Sequence, residues 1–217
     1  MLLLSPPGVY RAESDTELLI DVTREGGFAR GRDVLDVGTG SGALALAAAR
    51  SGAATVTAVD LSLRSVVTTW LNSRLLGTRV TVHRGDLFGP VAGRRFGLVL
   101  ANPPYVPARS ARLPRHGMRR CWDAGRDGRA LLDRICTGVP HVLAPGGDVL
   151  LVHSSVCDVD RTLVALDGAG LVPRVVATAT VPFGPVMRAR AAMLESRGLI
   201  RPGQRAEELV VVGAHHA

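Results

Sequence analysis

Asn102-Pro103-Pro104-Tyr105 is the stretch whose residue types come nearest to a reaction. It follows the apolar run Phe96-Gly97-Leu98-Val99-Leu100-Ala101, so it stands where a buried strand ends. A carboxamide, two ring-locked residues and a phenol at such a place can hold a planar NH2 group. The Asn102 side-chain oxygen and the Pro103 backbone carbonyl can each accept one N–H, turning the face of the nitrogen toward an electrophile for in-line displacement. Both acceptors also stabilise positive charge as it develops on nitrogen. Pro103 and Pro104 fix φ and remove two N–H donors, so the acceptors stay aimed without competition from their own backbone. Tyr105 is placed to stack on the planar group. Amide and aromatic-amine nitrogens are poor nucleophiles because the lone pair is delocalised, and their proton becomes acidic only as the new bond forms. No strong base is then required. These residues predict methyl transfer to nitrogen, with Asn102, Pro103 and Tyr105 catalytic and Pro104 joining them against the substrate.

Sixty residues upstream, Val34-Leu35-Asp36-Val37-Gly38-Thr39-Gly40-Ser41-Gly42 supplies a strand, a glycine turn and a helix start. Gly38, Gly40 and Gly42, followed by the alanine-rich run from Ala43, let backbone N–H groups at a helix start approach a ligand closely. The same glycines also satisfy a dinucleotide fingerprint, and Asp60 ends the next strand where an acid holds ribose hydroxyls. Asp36 separates the two readings. A carboxylate just before the first glycine repels a pyrophosphate, whereas it can help hold the cationic methionine portion of S-adenosyl-L-methionine. Asp86 ends a third strand as an acceptor for the adenine amino group, with Leu87 against the ring; Thr39 and Leu61 complete the expected cofactor set. Asp36, Asp60, Asp86 and Asn102 all fall at carboxyl ends of successive expected strands, the edge where α/β sheets bind ligands.

The elements that must carry these residues alternate in period. Short valine- and leucine-rich runs predict strands near 33–37, 55–60, 79–84, 96–101, 147–153, 172–180 and 207–213. Amphipathic stretches predict helices over 42–51, 62–76, 127–143, 158–169 and 185–198, with Asp158 or Asp160 as a cap and Gly52, Gly77 and Gly170 where helices stop. This is a doubly wound α/β sheet, expected as one domain over 1–217 with a short cofactor-closing segment over 1–31. Residues 106–126 form one long irregular loop, a length that is usually functional or mobile.

Composition narrows the partners less than it first suggests. The 217-residue chain has a formal charge of +7, yet it contains no lysine, so all 26 basic residues are arginine. GC-rich codon usage accounts for that bias and for the abundance of Ala, Gly and Val. Local placement says more: Arg94, Arg95, Arg109, Arg112, Arg115, Arg119, Arg120, Arg126 and Arg129 outnumber Asp123 and Asp127 beside Tyr105. Cys121, Cys136 and Cys157 show neither even number nor paired spacing, so neither disulfides nor a metal site is expected, and a reducing cytoplasm fits best. Met1-Leu2-Leu3-Leu4 is cut short by Ser5-Pro6-Pro7, and no membrane span or export signal is expected. His153 and His83 read as core or edge histidines.

On these motifs the chain resembles class I S-adenosylmethionine-dependent methyltransferases, and within them the protein-glutamine N5-methyltransferases of the HemK family. Val9-Tyr10-Arg11-Ala12-Glu13-Ser14-Asp15-Thr16 resembles the N-terminal segment of the HemK2-like branch, and Trp122-Asp123-Ala124-Gly125 its Trp-Asp-Gly-Gly type of loop. The resemblance implies a seven-stranded Rossmann-like sheet, mostly parallel with an antiparallel last strand. It also implies that Glu13, Asp15 and Thr16 close over the cofactor, and that Asn102, Pro103 and Tyr105 carry the glutamine of a Gly-Gly-Gln segment in a peptide chain release factor. Short members of the branch often use a small zinc-binding accessory subunit. The helical N-terminal domain of the longer bacterial enzymes has no counterpart here, so substrate docking is expected to be done otherwise.

Rival readings keep or change the fold. Asn-Pro-Pro-Tyr also occurs in methyltransferases acting on base amino groups of RNA or DNA, and the arginine-rich loop suits phosphates. Against nucleic acid stand the lack of a separate reading domain and an aromatic content of 4%, which offers bases little stacking surface. A small-molecule amine or amide acceptor stays open, because the tetrapeptide recognises only the planar group. A nicotinamide-dependent oxidoreductase would reuse the glycine turn, but without lysine the common Tyr–Lys pair is impossible. A binding module without turnover would retain the fold and lose the intact constellation.

Overall fold

The computed structural model describes residues 3–114 and 117–217. Helix α1 (Ser14–Glu25) precedes an alternation of β1 (Asp33–Val37), α2 (Ala43–Arg50), β2 (Thr55–Asp60), α3 (Leu63–Leu75), β3 (Thr81–Arg84), β4 (Phe96–Ala101), α4 (Leu132–Gly138), β5 (Leu143–Ser154), α5 (Val159–Asp167), β6 (Val172–Pro182), α6 (Pro185–Ser196) and β7 (Ala206–His215). The strands form one seven-stranded sheet in the order β3-β2-β1-β4-β5-β7-β6. Pairing is parallel from β3 through β5, while β7 runs antiparallel to both β5 and β6. The expected sheet with its antiparallel last strand is therefore present.

Alternation along the central strands fills a core on each side. Leu35, Val37, Val99 and Ala101 point to the face covered by Leu132, Ile135 and Cys136 of α4. Val34, Leu98 and Leu100 point to the other, covered by Leu19 of α1 and by Leu44, Ala45 and Ala48 of α2. Each fully buried Leu or Phe in these layers contributes about 1.5–3 kcal/mol. The small side chains of α2 let it lie close to the sheet, directly after the glycine turn.

Strand order determines where a ligand goes. The chain steps outward from β1 to β2 and β3, then returns so that β4 pairs with the other edge of β1, with Val37 opposite Ala101. The glycine turn after Val37 and the tetrapeptide after Ala101 thus leave the sheet side by side at a topological switch point, where open α/β sheets bind ligands.

Several expectations are corrected. Ser14–Glu25 is a regular helix that buries Asp15, Thr16, Leu19 and Thr23, a helix missing from the expected set within the segment over 1–31. The helix expected over 127–143 shrinks to α4 because Gly128 stands at φ +78°, where a Cβ would lie 2.2 Å from the Tyr105 carbonyl oxygen. Pro140 then sits in a 3-10 turn, and β5 begins at Leu143. Residues 106–126 are less irregular than expected. Val106 bridges Asp123, and Met118–Cys121 forms a 3-10 turn. Arg115 and the Met1-Leu2 pair lie outside the described residues. Asp158 caps α5, accepting from Arg161 N at 3.0 Å.

The arginine excess also dissolves in part. Arg129 is buried, donating to the carbonyls of Cys157 and of Asp158 (2.8 Å), to Thr162 Oγ1 (2.9 Å) and to Asp133 Oδ1 (2.9 Å). Arg95 donates to the Pro140 and Leu143 carbonyls, and Arg94 to Thr57 Oγ1 while lying over the Phe96 ring. Among the described residues no helix is long and apolar enough to cross a membrane. Because Arg129 satisfies acceptors from both α4 and the turn before α5, Arg129→Leu is expected to cost about 2–4 kcal/mol in urea unfolding.

Candidate active site

Two cavities meet at the carboxyl edge of the sheet. The smaller, about 200 Å³, is walled by Gly38, Gly40, Asp60, Leu61, Asp86 and Leu87. The larger, about 630 Å³, is walled by Pro103, Tyr105, Asp15, Trp122, Met187 and Glu207 among others. Tyr10, Asn102, Pro104 and Cys121 line both. The tetrapeptide therefore stands at the junction, with one cavity on the glycine-turn side and one on the α6 side.

The Asn102 carboxamide is oriented by α1. Its Nδ2 donates to Thr16 Oγ1 at 2.9 Å, while Oδ1 carries no hydrogen bond among the described residues and is left as an acceptor. Next to Thr16, Asp15 accepts from the Tyr10 hydroxyl (2.7 and 2.9 Å), from the Tyr105 hydroxyl (2.9 Å) and from Thr16 N (2.5 Å). Burial, and next the Asp15 carboxylate, push both phenols well above their ordinary range, so they remain protonated donors. The Tyr105 carbonyl is fixed too, accepting from Cys157 Sγ at 2.9 Å, a thiol that burial keeps protonated.

The loop after the tetrapeptide is strapped from both sides. Val106 N donates to the Trp122 carbonyl (2.8 Å), Ala124 N to the Val106 carbonyl (3.1 Å) and Ala108 N to the Gly125 carbonyl (2.7 Å). From α6, Arg190 donates to the Pro107 carbonyl (2.9 Å) and pairs with Asp123, and Arg197, the residue that caps the helix, donates to the Ala108 carbonyl (2.9 Å). Phe183, Met187, Ala191 and Leu194 pack with Val106 and Trp122 in a third apolar cluster. The sequence left 185–198 without a role; its arginine spacing on one helix face was the available signal.

In the smaller cavity Asp60 Oδ2 accepts from Gly40 N (3.0 Å) and Oδ1 from Ser62 N (2.7 Å). Burial raises its carboxyl, and those two bonds, followed by Arg120 at 3.9 Å, pull it back. Asp86 pairs with Arg134 at 2.7 Å, and Leu87 holds a positive φ of 45°, rare for a branched side chain. Gly38, at φ +77°, would direct a Cβ into open space.

Four expected cofactor residues lie behind this wall. Thr16 holds Asn102 as described. Asp36 is fully buried beneath the turn, where Oδ2 accepts from Thr39 Oγ1 (2.6 Å) and Ala45 N (3.0 Å). Gly42, at φ +87°, packs where a Cβ would meet Thr69 Cγ2 at 2.9 Å. Asp36, Thr39 and Gly42 thus shape the turn while Gly38 and Gly40 face the cavity. Tyr10, Arg120, Trp122 and Glu207 are wall residues that had been given no role of their own.

Comparison with known proteins agrees with this geometry. Residues 1–114 match the family model of the methyltransferase small domain. A Methanocaldococcus jannaschii protein named "Putative protein N5-glutamine methyltransferase" is 31% identical over 83% of this chain and 90% of its own length. A release factor glutamine methyltransferase of Bordetella pertussis is 36% identical over 68% of this chain, which spans 57% of that enzyme. Among solved structures, the E. cuniculi Mtq2-Trm112 complex, described as methylating the eRF1 termination factor, aligns with a TM-score of 0.66 at 20% identity, covering 96% of this chain and 99% of that one.

Burial pushes the Asp36 carboxyl up to about 7, against the bonds from Thr39 and Ala45 that pull it down. The folded chain therefore holds this proton more tightly than the unfolded chain, whose aspartates titrate near about 3.9. Its contribution to stability is full below about pH 4 and is lost as pH rises through about 7, by on the order of 4 kcal/mol. Urea unfolding across that window reads the slope, and Asp36→Asn is expected to flatten it.

Proposed function

The chain belongs to the methyltransferase small domain family, in the HemK branch of S-adenosylmethionine-dependent N-methyltransferases, and from that premise we propose that it methylates the side-chain amide nitrogen of a glutamine in a peptide chain release factor. The observation that carries this reading is the place of Asn102, with its oriented carboxamide between the two cavities.

The smaller cavity suits S-adenosylmethionine. Asp60 offers a carboxylate to ribose hydroxyls, Asp86 and Leu87 offer an acceptor and an apolar contact to the adenine, and the backbone of Gly38 and Gly40 gives close approach beside them. Bound there, the cofactor supplies a methyl carbon made electrophilic by its sulfonium. Every other requirement falls on this chain's own residues. Asn102 Oδ1 and the Pro103 carbonyl take the two N–H groups of the amide, and Tyr105, fixed at hydroxyl and carbonyl, forms the wall against its plane. The apolar lining of the larger cavity keeps water from the nitrogen.

A small accessory subunit is the second element of the proposal. Leu63, Val67, Trp70, Leu71 and Leu75 of α3 are exposed at helical spacing next to β3, an outer strand of the sheet. Such a stripe marks an interaction face, and the Mtq2 protein with the same fold is described in complex with Trm112. Trp70→Asp is expected to abolish co-purification of the subunit with this chain while leaving the melting temperature of the isolated chain within about 2 °C.

Incubation with methyl-labelled cofactor and a release factor, followed by mass spectrometry, tests the main reading. Label belongs on a glutamine amide, and label on RNA rejects the protein acceptor. Asn102→Ala is expected to lower turnover by at least about 100-fold with little change in cofactor affinity, whereas Asp60→Ala weakens cofactor binding first. An Asn102→Ala variant that keeps most of its rate refutes the assigned role.

A further inference from the structure

Two carboxylates are buried in the wall of the larger cavity, and only one is satisfied. Asp15 accepts from two tyrosine hydroxyls and a backbone N–H. Glu207, the second residue of β7, stands opposite Val181 of β6, is 6% exposed and lines the cavity, yet its buried Oε2 has no hydrogen-bond partner. Burial pushes this carboxyl upward, a bond from the Ser154 hydroxyl pulls it down, and nearby Asp15 pushes it up. An unpartnered carboxylate oxygen out of water costs folding stability. Leu209, two residues along the same strand face, fills the same wall without that cost.

We propose that Glu207 determines acceptor specificity: its carboxylate, which lines the larger cavity, turns its unpartnered oxygen to receive a hydrogen bond from a backbone N–H of the acceptor chain beside the methylated side chain. The inference rests on the glutamine reading above. Asn102 and Pro103 provide acceptors for both N–H groups of the amide, so the donor for Glu207 must be a different group. A backbone N–H is the donor that peptides bring, and the apolar Val181, Pro182, Val186 and Leu209 line the same cavity without offering a competing polar side chain. Glu207 therefore serves peptide recognition, and the cofactor lies beyond its reach in the second cavity.

The probe is an acetylated, amidated Gly-Gly-Gln peptide titrated calorimetrically into protein saturated with S-adenosylhomocysteine. Glu207→Leu is expected to weaken peptide binding about 10-fold or more, leave S-adenosylhomocysteine affinity unchanged and melt at or above the wild type. Glu207→Gln, which retains a neutral acceptor, falls between. Replacing one glycine, each in turn, by N-methylglycine removes one backbone donor. At one position this should weaken binding to the wild type by a similar factor and have little effect on Glu207→Leu. Equal peptide affinity in wild type and both variants overturns the inference and leaves the glutamine reading standing, as does a peptide-competent Glu207→Leu that melts lower. A wild type that binds S-adenosylhomocysteine but not the peptide overturns both.

Discussion

Asp15 and Thr16, adjacent in the first turn of α1, determine how the groups after β4 are presented. A terminal carboxamide rotates freely about its last bond, so an acceptor on it points nowhere until the N–H side is tied. Thr16 Oγ1 ties it. Asp15 does the same for the aromatic wall by holding the Tyr105 hydroxyl, and it secures the preceding segment through Tyr10. A single side chain thus joins the N-terminal segment and the start of α1 to the tetrapeptide 90 residues away.

The opposite end of the tetrapeptide is fixed by different chemistry to the same effect. Cys157 donates to the Tyr105 carbonyl, and the absence of a side chain at Gly128 leaves room for that carbonyl to lie against the turn before α4. Beyond it, Arg190 of α6 and Arg197 just after that helix hold successive carbonyls of the loop. Positioning groups are most accurate when their own support is rigid. Here the support comes from α1 on one side and α6 on the other, with the sheet between them.

Much of this was legible in the sequence because buried parallel strands write themselves as continuous apolar runs. Phe96 to Ala101 and Asp33 to Val37 could be read with their following turns, and the switch point then brought Gly38 and Asn102 together. What escaped was decided by tertiary partners. Asp15 reads as a helix-start acid until two tyrosines converge on it. Arg129 counts toward the arginine excess beside Tyr105 until its acceptors are seen to come from α4 and the turn before α5. The helix expected from residue 127 fails at Gly128 because of a carbonyl twenty-three residues earlier. Glu207 was partly legible: in Glu207-Glu208 at the start of a strand, alternation places one acid inward, but only the cavity shows what inward means.

The site concentrates unfavourable electrostatics on one sign. Asp36 Oδ1 and Glu207 Oε2 are the two buried carboxylate oxygens without partners among the described residues, one beneath the glycine turn and one in the wall of the larger cavity. Carboxylates left without partners in a dry interior would destabilise a domain that had no use for them. Burial raises both carboxyls, so each keeps its proton to higher pH than an exposed acid, and that neutralisation lowers the cost of the unpartnered oxygens.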